Sequence, residues 1–416
     1  METGPWIWLV AGSATVAVIL RPFRLPEAIW AASGVLILLI FHLLPFAQAM
    51  AGIRRGTSVY LFLAGMMLMA ELARRERVFD WLAAMAACRA AGSGPRLFLL
   101  IYAVGTLVTI FLSNDATAVV LTPAVFAVTR AVGASPLPYL YICAFIANAA
   151  SFVLPVSNPA NLVVFGTSMP PLSRWFALFA LPSLVAIVAT YALLRWRLRA
   201  DIAPRLHSDI SPSPLSRSGR LAVAGLVGAA VILTACAWNA IDLGMPTLMI
   251  ALLTLLLVWF RRGQSPLSVV KAVSWSVIPL VAALFVFVQA LEYSGAIGPL
   301  SDALTRVTTR WPQASGLMVG GALSLVSNLA NNLPVGLLAG SVLQSATPAP
   351  AFSAAALIGV ALGPNLSVTG SLATILWLNA LRREGLHVGV GQFFKLGLLV
   401  MPPTLLLALF VLHGIA

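Results

Sequence analysis

The chain has 416 residues, of which 60% are hydrophobic and 9% charged, with a formal net charge of +13 and a mean hydropathy of +0.99. A soluble domain carries about 25% charged residues, so this composition excludes one, and apolar runs able to cross roughly 30 Å of hydrocarbon recur along the whole length. The positive charge then belongs to basic loops on one membrane face rather than to a nucleic-acid partner.

In chain order, helical spans are predicted near 5–20, 27–46, 57–73, 137–168, 175–195, 219–240, 246–260, 273–293, 350–381 and 392–413. Met1-Glu2-Thr3-Gly4-Pro5 lacks the basic region of a secretory signal, so the first apolar run is expected to stay as a span. Segments near 76–91 and 296–308 read as interfacial amphipathic helices that act as connectors. Two further apolar segments, 96–132 and 312–346, are too long for one crossing. Polar residues interrupt each in the middle: Ser113-Asn114-Asp115 in the first, and Ser327-Asn328 with Asn331-Asn332-Leu333-Pro334 in the second. Re-entrant hairpins fit such interruptions, since non-helical backbone at membrane depth persists only inside protein or beside water.

The spans 137–168 and 350–381 are predicted to be broken helices. Pro155 and Pro159 fall within five residues of one another in the first, and Gly363-Pro364 precedes Gly370-Ser371 in the second. A proline removes a backbone donor and clashes with the preceding turn, and the freed amides and carbonyls form a binding site for ions or hydroxyl-bearing solutes.

The two halves repeat. Asn331 stands 217 residues after Asn114, Gly370 stands 213 after Ser157, and Gln289 stands 218 after Glu71. With hairpins that do not cross, each half has five crossings and the second half is inverted relative to the first. The predicted fold is therefore an all-α polytopic membrane protein of two inverted repeats, 1–199 and 219–416, joined by a Pro- and Ser-rich cytoplasmic linker at 200–218. This topology puts all but five of the 25 basic residues on the cytoplasmic side, the exceptions being Arg54, Arg55, Arg174, Arg306 and Arg310, and places both termini outside.

Asp115 is the sharpest candidate residue. A carboxylate in the bilayer costs roughly 2.5–3.5 kcal/mol on insertion scales and persists where it lines a cavity or binds something. Glu71, directly before Arg74, Arg75 and Arg77, reads instead as a solvated interfacial ion pair. Cys88, Cys143 and Cys236 show no metal-ligand spacing and are expected to be buried thiols, and the four histidines are scattered. With no Walker motif, nucleophile–base pair or metal cluster, neither direct ATP use nor an enzyme is expected, and no cofactor is implied.

The stretches Ser113-Asn114-Asp115-Ala116-Thr117, Val156-Ser157-Asn158-Pro159-Ala160-Asn161, Asn331-Asn332-Leu333-Pro334 and Gly363-Pro364 followed by Gly370-Ser371-Leu372-Ala373-Thr374 resemble those of the ArsB-type arsenite efflux permeases, members of the ion transporter superfamily. The resemblance covers nearly the whole chain. It implies proton-coupled efflux of arsenite and antimonite across a prokaryotic inner membrane by alternating access. Asp115 would be the proton carrier. Asn114, Asn158, Asn161, Asn331, Asn332, Ser371 and Thr374 would hold substrate, supported by Ser113, Ser157, Asn148, Gly370 and Asn365. Arsenous acid is a neutral trihydroxide, which suits amide and hydroxyl partners. A separate cytoplasmic ATPase subunit is a possible partner in that family. The sequence departs from the family pattern at Asn148 and Ala361, where an acidic residue is usual, and at Asn365, where a basic one is. A sodium–proton exchanger, an organic-anion carrier on the same fold and the membrane subunit of an ATPase-driven pump remain the alternatives.

Overall fold

The computed structural model describes residues 4–20, 22–207, 213–262, 265–346 and 350–415. The first residues of the expected leading span and the centre of the expected linker, 208–212, lie outside the described residues. Among the described residues all regular structure is helical.

The first half runs α1 (Gly4–Leu20), α2 (Glu27–Ile40), α3 (Phe46–Arg55), α4 (Thr57–Arg75), α5 (Val78–Ala90) and α6 (Gly94–Phe111). It continues through a single turn α7 (Asn114–Ala116), a π-helical turn (Thr117–Leu121), α8 (Thr122–Ala131), α9 (Pro136–Ala149), α10 (Pro159–Phe165) and α11 (Leu172–Arg197). The second half runs α12 (Arg217–Trp238), α13 (Gly244–Arg262), α14 (Leu267–Ala272), α15 (Val277–Tyr293) and α16 (Ile297–Arg310). It ends with α17 (Ser315–Ala330), α18 (Asn332–Ala346), α19 (Pro350–Leu362), α20 (Leu372–Arg383) and α21 (Val390–Ile415). Helix starts keep step between the halves: α17 begins 221 residues after α6, α19 214 after α9, α20 213 after α10 and α21 218 after α11.

Six helices, α4, α6, α11, α12, α13 and α21, are each long and apolar enough to cross a membrane, and α15 with α16 passes as a pair bent by 80°. The chain is thus a multi-pass membrane protein. Of the remaining expected spans, α1 matches its expected length, whereas others are shorter or broken. α2 ends at Ile40 instead of running to 46, and its 14 residues rise about 21 Å. His42 leaves the helix with a φ of +52°, and Pro45 disfavours helix in the residue before it, so a separate helix α3 starts at Phe46. α14 occupies the equivalent place before α15.

The scaffold is one set of packed helices: α4 along α13, α12 on α13, α15 across α2 and α3, and α1 on α2. The second set pairs α11 with α21, α17 with α19 and α10 with α18. α17 and α19 meet backbone to backbone, because a Cβ on Gly359 would overlap the Gly320 carbonyl. α16 is amphipathic and largely exposed, as expected. α5 differs from the expected interfacial helix: Val78, Phe79, Ala83, Ala86, Ala87 and Ala90 are buried, and it packs on α6 and α8.

The 96–132 segment is a hairpin of α6 and α8 whose two feet stand together. The backbone N–H of Leu206 donates to Gly92 O at 2.8 Å and that of His207 to Val132 O at 3.0 Å. Two consecutive linker residues therefore clamp the start of one arm to the end of the other, so the chain enters and leaves this hairpin at one face.

Candidate functional site

Each hairpin tip and each helix break ends in a helix start, and each start is capped by a polar residue from the sequence-derived set. Ser113 Oγ accepts from Ala116 N (3.1 Å), Asn158 Oδ1 from Ala160 N (2.9 Å), Asn331 Oδ1 from Leu333 N (3.2 Å) and Ser371 Oγ from Thr374 N (3.1 Å). N-cap oxygens satisfy amides that a helix start leaves orphaned. Asn114 Oδ1 accepts from Asp115 N at 3.0 Å, and Thr374 Oγ1 lies 2.9 Å from Ser371 Oγ.

The first break follows from its prolines. α9 ends at Ala149 and α10 starts at Pro159, and the carbonyls exposed between them are gathered by one amide. Asn161 Nδ2 donates to Ser151 O at 2.8 Å, Leu154 O at 3.0 Å and Pro155 O at 3.3 Å. Ser157 Oγ accepts from Leu154 N and donates to Ile110 O at 2.9 Å, fastening this break to the end of α6. The second break is fastened to its own hairpin. Asn332 N donates to Gly370 O at 2.9 Å, and the hydroxyls of Ser367 and Thr369 reach Asn328 O at 3.3 and 3.2 Å. Gly370 has no room for a side chain here, since a Cβ would sit 2.6 Å from Pro364 Cα. Asn331 holds φ +67°, ψ 148°, a region that costs a non-glycine residue about 1–3 kcal/mol and that clusters at functional sites.

The halves then exchange partners. α10 lies along α18 of the second hairpin, and α20 lies along the π-helical turn and α8 of the first. That π-helical turn precedes Pro123, which has no N–H to offer the carbonyl one turn earlier. At the centre Asn148 Nδ2 donates to Asn365 Oδ1 at 2.9 Å, and Asn365 Nδ2 to Phe145 O at 3.1 Å. Asn148 and Asn365, two of the three departures from the pattern that the resemblance implies, thus touch one another as a neutral amide pair.

What is left over defines the chemistry. Asn148 Oδ1, Ser151 Oγ, Asn158 Nδ2, Asn161 Oδ1 and Asn328 Oδ1 are buried without a hydrogen-bond partner, and the Asp115 carboxylate makes no hydrogen bond or ion pair among the described residues. The four segments of the tips and breaks, 105–125, 137–168, 315–346 and 350–381, contain no Lys, Arg or His. Ser151 and Asn328 were not singled out as site residues from sequence; both lie inside the motifs that were, but their free atoms become visible only once every neighbouring bond is placed. Asn158, Asn161, Ser371 and Thr374 are at most 1% exposed, so these side chains are closed off from the surface.

The weaker candidates lie elsewhere. Glu71 accepts from Arg74 at 2.7 Å and Arg75 at 2.8 Å, and Arg75 donates to Ser268 Oγ at 2.7 Å. The expected ion pair is present: Glu71 is 9% exposed while the Arg74 side chain is 51% exposed, and Arg75 ties α4 to α14. Gln289, its expected counterpart, donates to Gln48 at 3.2 Å. Cys143 is buried as expected, Cys236 is partly so and Cys88 is exposed.

Comparisons with known proteins place these features. The citrate transporter family CitMHS matches residues 15–363. The chain is 28% identical over 347 residues to the arsenical pump membrane protein of Escherichia coli K12, covering 80% of each chain. It is 26% identical over 421 residues to a putative arsenical pump membrane protein of Bacillus subtilis, covering 94% of this chain and 95% of that one. These relatives bear out the resemblance drawn from the tip and break motifs. Among solved structures, the YdaH transporter of Alcanivorax borkumensis superposes with a TM-score of 0.58 at 16% identity, covering 92% of this chain and 89% of that one, which shows a shared fold.

Proposed function

The chain belongs to the CitMHS citrate transporter family, and on that premise we propose that it is a proton-coupled exporter of arsenous acid, and of its antimony analogue, working by alternating access. It is a transporter and not an enzyme, as its family is. One observation carries the solute assignment: the buried, unpartnered atoms at the breaks are uncharged amides and hydroxyls, and no cationic side chain stands in those segments. A tricarboxylate stripped of water needs opposing charge, whereas a neutral trihydroxide needs neutral donors and acceptors. That weighs against an organic anion, and the names of the relatives in Escherichia coli and Bacillus subtilis support an arsenical.

Asp115 is the proton carrier in this reading. It is the one acid at the four tips and breaks and its carboxylate is unpaired. Alternating access follows from the sealed site, since solute reaches Asn158 and Ser371 only if elements move. The matched helix starts and the clamped feet of the first hairpin support two inverted repeats with re-entrant hairpins. Basic loops then face the cytoplasm of a prokaryotic cell and both termini face outward. Any ATPase subunit would meet the linker side.

Everted membrane vesicles test the reading. Arsenite should accumulate when the interior is acidic, and an uncoupler should abolish accumulation. Asp115→Asn, shown to be folded by its melting in detergent, should lose at least tenfold of the gradient-driven rate. Full transport by that variant removes Asp115 from the mechanism, and citrate accumulation in place of arsenite overturns the solute.

A further inference from the structure

A polar cavity lies where three helix ends meet. It has a volume of about 280 Å³ and lies between the start of α9, the end of α11 and the start of α21, with Arg197, Lys395, Asp201, Tyr141 and Gln392 among its walls. We propose that this cavity binds the phosphate headgroup of an anionic phospholipid.

Four observations carry the assignment. Arg197 and Lys395 are exposed and form no ion pair among the described residues, and Asp201, equally unpaired, is the single acid in the wall, so the cavity has a net positive charge. Tyr141 is 3% exposed, and its hydroxyl is buried without a hydrogen-bond partner. Its ring packs against Trp377 at 5.8 Å and Phe145 at 6.5 Å. α9 presents its N-terminus here with Ser135 at the cap position and no side-chain cap bond; Pro136 and Pro138 lack N–H groups, so Leu137 is the amide donor among the first three positions, beside the positive end of a 14-residue helix.

The surroundings favour a lipid over a free ion. Trp196 and Phe394, the chain neighbours of Arg197 and Lys395, are 55% and 43% exposed, and Leu398 one turn further along α21 is 55% exposed. A headgroup in the cavity therefore has apolar helix surface beside it for its acyl chains. The position suits this too, since Arg195, Arg197 and Arg199 mark the membrane boundary on the basic side, where anionic headgroups collect. None of these residues belongs to the solute site, so the assignment stands or falls independently of arsenite transport.

The test is thermal melting of the full chain in detergent micelles doped with phosphatidylglycerol, with phosphatidylcholine and inorganic phosphate as comparators. Phosphatidylglycerol should raise the melting temperature saturably, and the comparators should not. Arg197→Gln with Lys395→Gln should raise the half-saturating concentration about twenty-five-fold, from roughly fivefold per cation, and Tyr141→Phe should raise it further. Arg382→Gln with Arg383→Gln, at the end of α20, should leave it unchanged. An equal response to phosphatidylcholine, an unaltered half-saturation in the cavity variant, or an equal loss in the α20 variant overturns the site. A response to inorganic phosphate alone overturns the lipid as occupant.

Discussion

At the scale of single residues, the polar side chains of the site do two jobs at once. Asn161 is the clearest case: its Nδ2 serves three carbonyls of the first break, while its Oδ1 is buried and free. Removing the amide leaves those carbonyls unsatisfied in a water-poor interior, so Asn161→Ala should cost about 1–3 kcal/mol of stability. Asn161→Asp should cost more, although it keeps the shape, because a carboxylate would point its oxygens at three carbonyl oxygens with no cation near. Melting of the purified variants orders them; an Asn161→Asp variant as stable as the parent sinks this account of the break. Sequence reading placed Asn161 in the solute site from its motif, and it could not see the tie. The partners lie six to ten positions back along a chain that is no longer helical, so no periodicity points to them.

At the scale of elements, the breaks were legible because proline writes them into the chain: α9, α10, α19 and α20 fall where Pro155, Pro159 and Pro364 require. The short helices α3 and α14 were not, because neither is an apolar run long enough to register as a span. The contact between the broken helices was half legible. Asn148 and Asn365 stood out separately as departures from a family pattern, and only the structure shows that they bond to each other at 2.9 Å. The two amides tie the halves together without placing charge at the centre. The tie predicts energetic coupling. In a double-mutant cycle, Asn148→Ala and Asn365→Ala should each destabilise by about 1–3 kcal/mol, and the pair should fall short of their sum by roughly 1 kcal/mol. Additive losses would mean that the bond does not join α9 to the second break.

At the scale of the whole molecule, the arrangement in the membrane rests on which loops share a face. Charge counting bears on sidedness, but it cannot distinguish a hairpin that turns back from two extra crossings, because both leave the basic loops in place. The linker holds the two feet of the first hairpin together, since Leu206 and His207 bond to Gly92 and Val132, an arrangement that a hairpin turning back and a pair of full crossings share. The arms are long for a hairpin that turns back: α6 has 18 residues and rises roughly 27 Å, close to the hydrocarbon thickness. Its tip at Ser113 should therefore lie deep while both feet stay at the basic face. Labelling with a membrane-impermeant maleimide tests this directly. In a chain whose other cysteines are replaced by serine, the exposed Cys88 before the hairpin and a cysteine introduced as Ser135→Cys after it should both react in everted vesicles and not in intact cells. Gly298→Cys, on α16, should react in intact cells. Reaction of Cys88 and the residue-135 cysteine from opposite faces would mean that an odd number of crossings lies between them. The inverted-repeat reading, and the outward placement of both termini, would fall with it.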